Sequence, residues 1–274
     1  MKTFFITIIM LVFFQFAYSQ QDTIFTTGEK IVCTVKEVTV DAVSFSYPGE
    51  ELVNTIYKNI VDKIVFRSGR VQRFSEATSF KNVNGPQDFE NVSITLVENE
   101  VKGLYKLANV SAKAKGTTEF ANIERVKERA YRKMKMEAAM QGANIVYIIQ
   151  QKTQGNQHGT KYQAGNTTET NIDGIAYSNK IPKFEDFKAL IAGKSQFRVM
   201  TRLKLWSGAS DMTTDPLDGV LIINSMVNEG GLIMIYGTLG KIKAEKFRVV
   251  SFDNTQFVLV YEDKSTIYNL VFMI

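Results

Sequence analysis

One cysteine and one histidine are all that 274 residues contain of those two types. That scarcity excludes much of the chemistry a site can be built for. A lone Cys33 cannot close an intrachain disulfide. Cys33 and His158 together fall short of the about three or four N, S or O ligands that zinc requires. Histidine is the commonest tunable acid–base group. The one present lies in Gly155-Asn156-Gln157-His158-Gly159 with no Cys, Asp or Glu beside it, and reads as a solvated loop residue. Neither Gly-x-Ser-x-Gly nor His-Glu-x-x-His occurs. Gly193-Lys194-Ser195 matches the end of a phosphate-binding loop, but the place of that motif's first glycine is taken by Lys188. Asp211, Asp215 and Asp218 lack the alternating Asp-x-Asp-x-Asp-Gly spacing of a calcium loop and read as a solvated acidic turn. The sequence therefore nominates no catalytic residue, no cofactor and no metal ligand. The expectation is a protein that is not an enzyme.

Long apolar runs are equally scarce. The run over residues 4–14 is too short to cross a bilayer, which takes roughly 20 apolar residues. With Lys2 before it and Ala17-Tyr18-Ser19 after it, the segment has the layout of a secretory signal peptide over residues 1–19. The expectation is an exported protein, periplasmic or extracellular, whose mature chain starts at Gln20 without a transmembrane segment. Cys33 lies too far past that cut to be a lipid-bearing first residue, so the mature chain is expected to be unlipidated. Alternation with Ile31 and Val35 makes Cys33 a half-buried structural thiol. A net charge of +5 is too diffuse for a nucleic-acid partner, which leaves a clustered basic footprint.

What is present is ordinary globular material, 45% hydrophobic and 22% charged. Residues 20–78 alternate in short runs and predict a small all-β module, with Ser68-Gly69 as a two-residue hairpin turn. Residues 75–90 read as a linker. Residues 89–180 predict an α+β domain with one long helix on a sheet. In it Ile123, Val126, Ala130, Met134 and Ala138 recur at spacings of three and four. That helix is expected from residue 119 to 141, capped by Thr118 and ended by Gly142 in a left-handed conformation. An apolar strand follows at once, residues 153–171 form a mobile loop or long hairpin, and residues 172–177 close the sheet. Residues 182–274 predict a short helix and then a barrel-like β module, giving α+β class overall. Gly28, Val38, Asp41 and Phe45 recur at one fixed offset as Gly240, Val250, Asp253 and Phe257, which raises duplication of a β module.

The helix also carries Arg125, Arg129 and Arg132, together with Lys127, Lys133 and Lys135. A basic face of this kind suits an anionic lipid, glycan or acidic protein partner, and equally serves solubility. The stretch from Lys135-Met136-Glu137-Ala138-Ala139-Met140-Gln141 through Gly142-Ala143-Asn144-Ile145-Val146, with Ile172-Asp173-Gly174-Ile175-Ala176-Tyr177, carries a resemblance. Residues 101–177 resemble the bacterial YbjQ-type domain, a family labelled heavy-metal-binding, and its RcsF-like relatives at the cell envelope. The resemblance implies a small α+β fold, sometimes assembled into rings, which leaves a homo-oligomer open. The first β module resembles β repeats of exported bacterial proteins. The reading favoured is non-enzymatic binding at the cell envelope. A carboxylate-based hydrolase or carbohydrate-active enzyme, and a hydrophobic-ligand carrier, are the alternatives.

Overall fold

The computed structural model describes residues 21–26, 29–74, 80–118, 121–155, 159 and 165–274. Residues 1–19, expected as a signal peptide, and His158 lie outside the described residues. The fold is β-dominated α+β and divides into two compact units, residues 1–77 and 78–274. Among the described residues, no helix is long and apolar enough to cross a membrane.

The first unit is one antiparallel sheet. Its strands are β1 (Asp22–Thr26), β2 (Lys30–Val38), β3 (Ala42–Ser46), β4 (Asn54–Tyr57), β5 (Val61–Val65) and β6 (Val71–Arg73), in the order β4-β3-β2-β1-β5-β6. Alternation turns Ile24, Ile31, Cys33, Val43, Phe45 and Ile64 to a shared core. Cys33 is more deeply placed than its half-apolar neighbours suggest: it is wholly buried, and burial first, then the charge of Asp22, pushes its thiol up to about 11.

Of the stretch 75–90 expected as a linker, residues 75–79 lie outside the described residues, and its end is a packed element rather than a linker. Residues Pro86–Asn91 form a 3-10 turn that packs on the long helix, with Pro86 buried and Phe89 against two apolar cores. There follow β7 (Ser93–Thr95), β8 (Tyr105–Lys115), α1 (Ile123–Met140), β9 (Ile145–Gln154) and β10 (Glu169–Ser178). The sheet order is β7-β9-β10-β8. β10 thus completes the sheet from its middle, joining β8 to β9, and it pairs with β9 as a long hairpin. Helix α1 starts later than Thr118 predicts. Its cap is Asn122, whose Oδ1 accepts the Arg125 N–H at 3.1 Å. Its end is as expected. Gly142 has φ +75°, Ala143 N–H donates to Ala138 C=O, and Gly142 N–H donates to Ala139 C=O, both at 2.9 Å. Beyond the joint, Asn144 Nδ2 donates to Asn179 Oδ1 at 2.6 Å, so its partner is a side chain rather than local backbone.

Helix α2 (Phe184–Leu190) leads into β11 (Gln196–Trp206), β12 (Thr213–Asp215), β13 (Val220–Glu229), β14 (Leu232–Leu239), β15 (Lys246–Phe252), β16 (Gln256–Asp263) and β17 (Thr266–Met273). β17 pairs back onto β11, closing a barrel, while β12 sits outside the ring as a short partner of β11. The lumen is filled. Phe257 stacks on Phe272 with centroids 4.9 Å apart, and Phe187 of α2 meets Phe257 edge-on at 5.5 Å. The echo between the units does not mark equivalent places. Asp41 lies within a turn closed by Thr39 N–H to Ala42 C=O, whereas Asp253 opens the turn closed by its own N–H to Gln256 C=O.

Helix α1 is buried on two sides. The predicted stripe (Ala130, Met134, Ala138) packs on its own sheet. A second stripe, Met136 and Met140, packs with Leu205, Val260 and Ile267 of the barrel. The helix therefore stands between sheet and barrel, and its C-terminal end is where the candidate site forms.

Candidate functional site

The last carbonyls of a helix have no partner within it, and the helix dipole places partial negative charge there. The barrel supplies the donors. Arg248 of β15 donates through Nη2 to Gln141 C=O at 2.9 Å and to Gln141 Oε1 at 2.5 Å. Asn269 of β17 donates through Nδ2 to Met140 C=O at 2.9 Å. Gln141 passes the contact on, its Nε2 donating to Glu262 Oε1 at 2.6 Å. A guanidinium, an amide and a carboxylate thus form a chain across the helix–barrel junction.

Beside this chain opens a cleft of about 360 Å³. Its apolar wall is Leu107, Leu232, Met234 and Val260, and its polar groups are Gln141, Glu229, Lys246, Arg248 and Glu262. The barrel residues among them are outward-facing positions on β13, β14, β15 and β16, partly roofed by β8 (Leu107) and the end of α1 (Gln141). Lys246 Nζ donates to Glu229 Oε2 at 2.9 Å, and Tyr236 Oη donates to Glu229 Oε1 at 2.8 Å. The hydrogen bond from Lys246, then that from Tyr236, holds the Glu229 carboxyl below its ordinary value. Burial brings Arg248 down to about 10, opposed by the charge of Glu262, so the guanidinium stays protonated at neutral pH.

Behind the cleft, on the same helix, stands Glu137. Burial first, with the charge of Glu262 adding, pushes its carboxyl up to about 7 against the Ser111 N–H that donates to it at 3.2 Å and the charge of Lys133. Lys133 is buried against the barrel, donates to Ser207 C=O, and is lowered by burial against the pull of Glu137.

The three arginines proposed as a contact surface lie elsewhere on α1. Arg125 is exposed. Arg129 is exposed and donates to Lys115 C=O at 2.9 Å. Arg132 is turned to its own barrel: it donates to Ser210 C=O at 3.1 Å, meets Asp211 Oδ2 at 3.3 Å and lies over the Phe89 ring at 4.8 Å. The acidic turn is likewise divided, with Asp211 on Arg132, Asp215 on Arg202 and Lys204, and Asp218 on Arg198. Gly193-Lys194-Ser195 follows α2 and precedes a strand, so no helix N-terminus stands behind it to hold a phosphate. Among the described residues, no group of three His, Cys, Asp or Glu side chains is placed to hold a metal.

Sequence reasoning missed the cleft because Lys246, Arg248, Val260 and Glu262 read as the solvated face of alternating strands. The one signal available was Arg248, a charge inside the apolar run Phe247–Val250. Compared with family models, with curated proteins and with solved structures, the chain has no match.

Proposed function

We propose that this is an exported, non-enzymatic binding protein of the cell envelope, and that its ligand is held in the cleft between helix α1 and the barrel. The observation that carries the reading is the state of the cleft's polar groups. Glu229 is locked by Lys246 and Tyr236, and Glu262 and Arg248 are joined through Gln141. Side chains fixed by each other present steady charges and need little ordering when a ligand arrives, which favours affinity. A general acid or base instead needs a proton that comes and goes near the operating pH. The envelope setting is supported by the layout of residues 1–19 and by the YbjQ-like and RcsF-like residues of the middle segment. Exposed Arg125 and Arg129 give α1 a surface for an acidic partner, with Arg132 serving mainly to seat the helix.

One observation favours the hydrolase alternative: Glu137 at about 7 with Glu262 close enough to shift it. Glu137 does not line the cleft, however, so its proton faces the helix–sheet–barrel junction. The test joins both readings. Methionine methyls are labelled with carbon-13 and a small-molecule extract of an envelope fraction is added. A shifted Met234 methyl with an unchanged extract composition is the expected result. Conversion of an extract component, abolished by Glu137→Gln or Glu262→Gln, replaces binding with catalysis.

A further inference from the structure

We infer that the cleft takes a small carboxylic acid with an apolar body, its carboxylate meeting Arg248; this rests on the cleft being the binding site. Arg248 is 8% exposed and lines the cleft. Its Nη2 hydrogens go to the two oxygens of Gln141, both on neutral groups. Among the described residues the guanidinium makes no ion pair, and its remaining N–H groups are not among the buried atoms left without a partner, so they reach the open space of the cleft. Burying a guanidinium is costly unless charge and hydrogen bonds compensate it. An anion entering the cleft supplies both.

The other charges around the cleft narrow the ligand. Glu229 is occupied by Lys246 and Tyr236, and Glu262 accepts from Gln141. Each acid is already satisfied, so neither needs a cation from the ligand. Both are still negative, which disfavours a doubly charged phosphate more than a singly charged carboxylate. Leu107, Leu232, Met234 and Val260 give the rest of the ligand an apolar wall. A volume of about 360 Å³ is near the small end of ligand sites, roughly 300–1,000 Å³, which suits a small molecule.

Octanoate and its uncharged counterpart octanamide test this on the full mature chain, read by the Met234 methyl signal. Octanoate is expected to bind at least about 10-fold tighter, since a hydrogen bond to a charged partner outweighs a neutral one by roughly that factor. Inorganic phosphate alone is expected to leave the signal unmoved. Arg248→Gln should abolish the preference for octanoate, but it also removes a donor from the end of α1. Met234→Glu, read by calorimetry because it removes the methyl probe, is therefore the second variant: it keeps the Arg248–Gln141 contact and sets a fixed negative charge in the wall. It should weaken octanoate far more than octanamide. Equal binding of octanoate and octanamide overturns the carboxylate assignment while leaving the cleft a binding site. A Met234 signal unmoved by both overturns the apolar-acid class, and the extract experiment then decides separately whether the cleft binds anything. Saturation by phosphate in place of octanoate overturns the apolar body.

Discussion

Gly142 is where the helix, its cap and the barrel meet, and replacing it separates two energies. The first is backbone conformation: at φ +75° an L-residue with a side chain loses roughly 1–2 kcal/mol. The second is space. A Cβ at this position falls 2.8 Å from Val250 Cγ1, well inside the roughly 3.5–4.0 Å of a relaxed carbon contact, and such overpacking costs about 1–3 kcal/mol. Gly142→Ala is therefore expected to destabilise by roughly 2–5 kcal/mol, and Gly142→Val by more. Trp206 is the only tryptophan and lies on β11, so its fluorescence follows the second unit alone. At about 2–4 °C per kcal/mol for a unit of this size, the midpoint should fall by roughly 4–20 °C. Adding Val250→Ala isolates the steric part: the double variant should be more stable than the two single losses predict, by about 1–2 kcal/mol. A Gly142→Ala midpoint within about 1 °C of the parent refutes the placement of the cap. Strict additivity with Val250→Ala refutes the steric half while leaving the backbone half standing.

Glu137 is raised from 4.5 to about 7, so the stability it contributes is complete below 4.5 and is lost as pH rises through about 7. Urea unfolding at pH 4.5 and 8 should differ by about 3 kcal/mol from this group, and Glu137→Gln should remove that part; an identical pH dependence in the variant refutes it. Cys33, buried with its thiol pushed up to about 11, should react with Ellman's reagent only on unfolding, and complete labelling of the native protein within minutes would contradict its placement. Arg132→Glu should lower the second unit's stability by about 1 kcal/mol, because it breaks the contacts to Ser210 and Asp211, while Arg125→Glu should leave it unchanged. The reverse order in thermal melts would mean that α1 is seated differently. Calorimetry with zinc or copper should show no submicromolar site, and one per chain that disappears on mutating His158 would overturn the reading of the sparse Cys and His content.

Local features were legible where a residue has only one good reason to be there. Gly142 announced the end of α1, Ser68-Gly69 announced a hairpin (though its loop is three residues, 67–69, closed by Phe66 N–H to Arg70 C=O, and not two), and the stripe through Ala130, Met134 and Ala138 announced the face on the sheet. Thr118 and Asn122 are both good caps, and letters alone do not choose between them. Met136 and Met140 were hidden because Lys133 and Arg132 lie among them, giving that side the look of a solvated surface. Burial of Lys133 depends on Ser207, a residue of the barrel, and no periodicity records a partner that distant. Arg248 and Glu262 were illegible for the same reason. On an isolated strand each is an outward polar residue, and only closure of β11 on β17 and docking of α1 turn that outside into the wall of a cleft.

Strand β17 does three things at once: it closes the ring against β11, gives Ile267 to the helix–barrel core, and lends Asn269 to the end of α1. The order of folding follows. Until β17 has formed, Met136 and Met140 lack part of their cover and the Met140 carbonyl lacks its donor. The middle segment cannot mature on its own schedule, and folding of the second unit waits on pairings as distant in sequence as Val199 with Phe272. In the first unit the pairings β1–β2, β2–β3, β3–β4 and β5–β6 join neighbours in sequence, and its one distant pairing, β1 with β5 (Thr23 with Val65), spans a shorter stretch, so its wait is shorter. The late strand thus acts as a timer: the second unit locks only when β17 has joined the ring.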